Sequence, residues 1–169
     1  MALNTTPGAQ DADSYVSVED CAEYAAKKGL AFPASPIGPA EQALRRATEW
    51  LDSTYRIRFP GAATDVWQSL EWPRVGVIYR GQPLDEDTIP RQIIEATCEA
   101  AVREMAEPGS LAPDLERGGA VKRLKAGSVE IEYADSADLT TTFATIDGLL
   151  NGLLLPAKGK TATSFVARA

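Results

Sequence analysis

Histidine is absent from this chain of 169 residues. That removes the commonest general base, the commonest metal ligand and every Ser–His triad at once. Cysteine is almost absent: Cys21 and Cys98 are the two, and no zinc-site spacing can be built from them. Both fall on apolar helical faces. A disulfide between them is geometrically open, and two buried thiols in a reducing compartment is the reading their setting favours. A glycine-rich phosphate loop is also missing, because Gly118-Gly119 lacks the Lys-Ser/Thr that would follow it. No window approaches the roughly eighteen unbroken apolar residues that cross a bilayer, so no membrane partner is expected. Residues 1–8 have neither a basic start nor an apolar centre, and no signal peptide is expected there. Positive charge is scarce: 17 Lys and Arg stand against 24 Asp and Glu, a net charge of −7. Such a balance argues against a protein whose whole surface coats DNA. With no catalytic constellation in view, no enzyme, no cofactor and no metal are expected.

What remains is ordinary soluble material. Hydrophobic residues make up 44% and charged residues 24%, enough for one modest core. Neither an internal repeat nor a low-complexity tract interrupts it. The chain divides into an N-terminal arm (1–13), a helical core (14–110), a β-hairpin with a short C-terminal helical segment (111–155) and a tail (156–169). The expected fold is mainly α: a small helical bundle with a short β-hairpin and extended arms at both ends.

The organising stretch is 90–106. Its large apolar residues at 94, 98, 101, 102 and 105, flanked by Ile93 and Thr97, have the three-and-four spacing of an amphipathic helix. Pro90 suits the first turn, and Glu107-Pro108-Gly109 ends the run. A helix before it starts at an N-cap Ser17, with Asp20 at the capping-box position, and stops at Lys27-Lys28-Gly29. A prolyl connector follows, and Pro39 is expected to open a second helix running through Ala43, Leu44, Ala47, Trp50 and Leu51 to Tyr55. Residues 56–82 read as a loop rich in large side chains, where Trp67 and Trp72 need burial in the core or against another subunit. Asp85-Glu86-Asp87 reads as an acidic lead-in to the organising helix. Two short strands around Gly127 predict a hairpin, Val129, Ile131 and Tyr133 alternating with Glu130 and Glu132. An isolated hairpin is marginal in water, so it should lean on the helices or on a neighbouring chain. Residues 145–155 predict a short apolar helix closed by Pro156.

Two constellations are candidate contact sites. Lys122, Arg123 and Lys125 form a basic edge in an acidic chain. They suit a phosphate backbone or an acidic protein rim, and equally a charged edge that blocks unwanted strand pairing. Trp67 and Trp72 beside Arg58 and Arg74 could stack single-stranded nucleic acid; core burial or subunit contact is the other account.

Five pieces stand in a fixed order. They are residues 14–20 (Ser-Tyr-Val-Ser-Val-Glu-Asp), 47–52 (Ala-Thr-Glu-Trp-Leu-Asp) and 70–76 (Leu-Glu-Trp-Pro-Arg-Val-Gly). The other two are Ile89-Pro90 leading to Ala96-Thr97-Cys98-Glu99, and Val121-Lys122-Arg123 with Gly127 and residues 129–133. Over residues 14–155 this order resembles tailed-phage head–tail connector (adaptor) proteins, relatives of which often carry the label DnaT-like single-stranded-DNA-binding protein. The resemblance implies a structural virion protein in the neck, made in the host cytoplasm. It implies a homo-oligomeric ring, most often a dodecamer, under the portal protein and bridging to a stopper or tail-completion protein. Packaged phage DNA would pass through its lumen without sequence-specific contact. The label implies instead a single-stranded-DNA-binding replication accessory.

Overall fold

The computed structural model describes residues 2–111, 123–126, 129–132 and 143–156. Helix α1 (Val18–Lys28) begins as its sequence requires. The Asp20 N–H donates to Ser17 Oγ at 3.1 Å, and the Ser17 hydroxyl returns a bond to Asp20 Oδ2 at 2.7 Å. Gly29 ends the helix at φ 70°, the left-handed conformation that costs glycine least.

Helix α2 (Ile37–Tyr55) starts two residues before the expected Pro39. Pro36 takes the N-cap position, and Pro39 falls in the first turn, where its missing N–H forfeits no intrahelical bond. A 3₁₀ turn (Arg56–Arg58) leads into two hairpins of two-residue strands. Strand β1 (Ala62–Ala63) pairs antiparallel with β2 (Arg74–Val75), and β3 (Ile78–Tyr79) with β4 (Gln82–Pro83). The sequence had shown only loop here. The runs are too short for alternation to register, and Gly61 and Gly76, both at positive φ, frame the first pair. Gly61 admits no side chain, since a Cβ would lie 2.2 Å from the Val75 carbonyl oxygen.

Helix α3 (Arg91–Ala106) is the organising helix, and α4 (Ala144–Leu150) closes the bundle. Between them β5 (Arg123–Ala126) and β6 (Val129–Glu132) form the expected antiparallel hairpin. Lys122, the Gly127 turn, Tyr133, the loop from 135 to 142 and the tail from 157 onward lie outside the described residues. The fold is thus a small mainly helical domain with short hairpins. No helix among the described residues is long and apolar enough to cross a membrane.

The core is the seam between α2 and α3. The buried face of α2 is Ala40, Ala43, Leu44, Ala47, Thr48, Leu51 and Tyr55, a three-and-four stripe. The buried residues of α3 are Ile93, Ala96, Thr97, Cys98, Ala100, Ala101 and Glu104. Of the expected face, Ile93, Thr97, Cys98 and Ala101 are buried, whereas Ile94, Val102 and Met105 are only half-buried, so the buried face is rotated toward the alanines. Alanines fill much of the seam, and Leu44, Leu51 and Ile93 are its large, fully buried side chains. Glu104 reads as a surface residue yet is buried, its carboxylate 2.6 Å from Arg46 Nε and 2.8 Å from the Gly109 N–H. Polar tethers tie the outer helices to this seam: Tyr24 OH donates to Glu99 Oε1 at 2.7 Å, and Tyr55 OH to Asp147 Oδ1 at 2.6 Å. Cys21 and Cys98 are both buried free thiols. The hydrogen bond between them, with burial, pushes the Cys98 thiol up and keeps it protonated.

Residues 2–13 carry no helix or strand and lie against the body. The Leu3 N–H reaches Glu41 Oε1 at 3.3 Å, and the Ala9 carbonyl accepts from the Ser69 N–H at 3.1 Å.

The rotated core makes a sharp expectation. Ile93→Asp should abolish the cooperative urea transition, since an unpaired charge there has no water. Leu51→Ala should cost about 2–5 kcal/mol. Val102→Asp, at a half-buried position, should leave a folded protein of reduced stability.

Candidate partner-contact surface

The segment between α2 and α3 carries most of the candidate site, and one carboxylate anchors it. Asp52, near the end of α2, accepts the Tyr15 hydroxyl at 2.5 Å and the Glu71 N–H at 3.1 Å. The Tyr15 oxygen in turn accepts the Trp72 N–H at 3.2 Å. Helix, arm junction and loop are thereby joined through three hydrogen bonds. Burial pushes the Asp52 carboxyl up to about 6, against the lowering effect of the bonds it accepts.

Two of the candidate contact residues, Trp72 and Arg74, prove to be clamps, which is the core-burial account of the loop and not the stacking one. Trp72 is 1% exposed and meets Phe59 edge-on, with ring centroids 5.7 Å apart. Its indole N–H finds no acceptor among the described residues. Arg74 is buried, and its guanidinium donates to the carbonyls of Pro60 (2.8 Å), Gly61 (3.0 Å) and Glu71 (3.0 Å) and to Glu71 Oε2 (2.9 Å). It closes the loop by fastening one end to the other. Neither side chain is available to a base or a phosphate.

Trp67 is the opposite case, 71% exposed rather than buried. A tight turn holds it there. The Trp67 N–H donates to Asp65 Oδ1 at 2.9 Å, and the Asp65 N–H donates to Gln68 Oε1 at 3.0 Å. The Gln68 amide then reaches back to the Leu70 and Pro73 carbonyls at 2.6 and 3.1 Å. The indole therefore projects from a braced turn. Ile57, Val66 and Ile78 on the same segment are also exposed, at 86%, 84% and 71%. The expectation singled out aromatics and missed these three. An aliphatic between two arginines (Ile57) and one beside a turn aspartate (Val66) are weak signals that could have found them.

The cations of the body are largely engaged. Arg45 pairs with Asp13 and Glu41, Arg46 with Glu104, and Arg91 with Glu95. Arg58 Nε bonds the Leu155 carbonyl at 3.0 Å, and the Arg103 guanidinium lies over the Phe143 ring. In the hairpin the register sets Arg123 opposite Glu132 and Lys125 opposite Glu130, pairing positions of opposite charge across the strands. The structure brings Trp67, Trp72 and Arg74 into one loop and leaves Arg123 and Lys125 on a separate strand. Among the described residues, no cluster of His, Cys, Asp and Glu is arranged to hold a metal ion.

A second surface feature went unread in the sequence. A cavity of about 290 Å³ opens between α2 and the end of α3, lined by Arg46, Glu49, Trp50, Ser53, Glu104 and Leu111, with Gly109 at its edge. Trp50 forms part of its apolar wall and packs edge-on against Phe143 at 4.9 Å.

These features define a small mainly helical protein with a braced, apolar-tipped loop. The family described as "Putative DnaT-like ssDNA binding protein" matches residues 1–169, and the chain belongs to that family. Its description gives no support to the head–tail connector family as such. Neither a curated protein nor a solved structure matches the chain.

Two outcomes follow from this geometry. Trp72→Ala should destabilise by about 3–5 kcal/mol, whereas Trp67→Ala should stay within about 0.5 kcal/mol of the parent in urea melts. With no histidine in the chain, Asp52 should govern stability between about pH 4 and 6. Its folded pKa lies above the ordinary carboxylate value of 3.8, so its contribution is greatest below that value and is lost as pH rises through about 6. Melting temperatures should fall from pH 5 to pH 7, and Asp52→Asn should flatten that slope.

Proposed function

We propose that this protein is a structural adaptor that works through protein contacts, with no catalytic chemistry of its own. In this reading copies assemble as a ring in the neck of a phage virion, beneath the portal and above a stopper or tail-completion protein. The observation that carries it is the braced loop bearing exposed Ile57, Val66, Trp67 and Ile78. Large apolar side chains held rigidly in water mark protein-contact sites, because ordering them in advance lowers the cost of binding. The ordered resemblance of residues 14–155 to head–tail connectors supplies the specific role. A net charge of −7 suits a channel through which DNA slides rather than sticks.

The family description favours a second reading, single-stranded-DNA binding. Against a groove on the helical body stand the burial of Trp72 and Arg74 and the pairing of its arginines with carboxylates. On that reading the nucleic acid would rely on Trp67 and on the basic residues of the hairpin and tail.

Mass photometry of the full chain, alone and with portal protein, should show ring-sized complexes. Titrating oligo-dT while following tryptophan fluorescence should show little quenching at physiological salt. A monomer that ignores portal would overturn the adaptor reading. Micromolar binding that quenches Trp67 and weakens steeply with salt would establish the second.

A further inference from the structure

Two separate features of the described structure complement each other, a projecting indole and a cavity that it does not line. The projecting half is Trp67, braced by Asp65 and Gln68 and 71% exposed. The receiving half is the cavity of about 290 Å³ between α2 and α3, a volume suited to a single large side chain. We propose that the Trp67 indole of one copy seats in this cavity of the next copy. The proposal rests on the adaptor reading and names the contact by which its copies join.

The chemistry of the two halves agrees. Trp50 and Leu111 offer an apolar wall against the ring faces. Glu49 and Ser53, both exposed at the rim, offer oxygen acceptors for the indole N–H, which an apolar socket alone would leave unpaired. The Arg46 side chain is 43% exposed while it holds Glu104, so its guanidinium plane can stack on an incoming ring. Buried tryptophans at the centre of an interface are among the strongest single contributors to binding.

Knob and socket are different parts of the chain, so the contact is head-to-tail rather than two-fold. Such a contact repeats from copy to copy, and it closes into a ring when the rotation between neighbours allows. Trp67 facing Trp67 across a dyad would give only a dimer.

The test uses two full-length variants, each removing one half. Trp67→Ala deletes the knob, and Ser53→Arg fills the socket mouth from an exposed position. Thermal melts matching the parent confirm that each is folded, with Trp67→Glu and Glu49→Arg as substitutes if either is not. By analytical ultracentrifugation each variant alone should self-associate at least about tenfold more weakly than the parent. Mixed together they should form a one-to-one dimer and stop there, since only one intact knob and one intact socket can meet. Rings that persist in both variants would overturn the knob-and-socket contact and leave the adaptor reading standing. Loss with Trp67→Ala but not with Ser53→Arg would also overturn it, in favour of another surface for the indole. A parent that neither self-associates nor binds portal would overturn both.

Discussion

The Asp52 carboxylate is the point on which the non-helical half of the described structure depends. Its two oxygens hold Tyr15 and the Glu71 backbone, and Tyr15 passes the connection on to the Trp72 backbone. A loop of this length has little regular hydrogen bonding of its own and would lose much conformational entropy on ordering. Fixing residues 71 and 72 against α2 sets the rest. Trp72 turns inward onto Phe59, Arg74 reaches back to Pro60 and Gly61, and the intervening turn is pushed outward. The cost is a carboxylate held in partial burial, which its raised pKa records.

The helical half was legible because each helix announces itself locally. Ser17 and Gly29 bound α1 by capping chemistry, and the α2 stripe from Ala40 to Leu51 repeats over several turns. The hairpin at 123–132 showed in its period-two alternation. The rotation of the α3 face was not legible, since side-chain size says which residues gain most from burial but not which contacts are closest. The α2–α3 seam is built on alanines, and α3 adds a glutamate whose partner, Arg46, lies 58 residues away. Pairings at that separation leave no mark in a short window of sequence.

Trp67 and Trp72 show the same limit at the candidate site. They are five residues apart, of one type, in one loop, each near an arginine. One is almost wholly buried and the other mostly exposed. Their different fates come from contacts that periodicity does not encode. Trp72 is placed by a tyrosine hydroxyl 57 residues away, and Trp67 by a side-chain turn at Asp65. The cavity beside Trp50 was invisible for the same reason, because it exists only where the end of α3 and Leu111 meet α2. Composition identified the loop as the place to look, but it could not separate the residues that clamp it from those it presents.

The charge balance bears differently on the two functional readings. Affinity for single-stranded nucleic acid comes largely from releasing counterions at phosphates, and it needs cations free to replace them. On the helical body Arg45, Arg46 and Arg91 face carboxylates, and Arg74 is spent on backbone carbonyls. Exchanging such a pair for a phosphate gains little, because the displaced carboxylate must then be left alone near the polyanion. An adaptor needs the reverse arrangement: cations neutralised within each copy, apolar groups held outward, and a residual negative charge that keeps copies soluble until those groups meet. The described residues have that arrangement, and in it the blandness of α3 acquires a purpose. The α2–α3 seam is the rigid strut that holds a braced tryptophan at one place and a cavity at another.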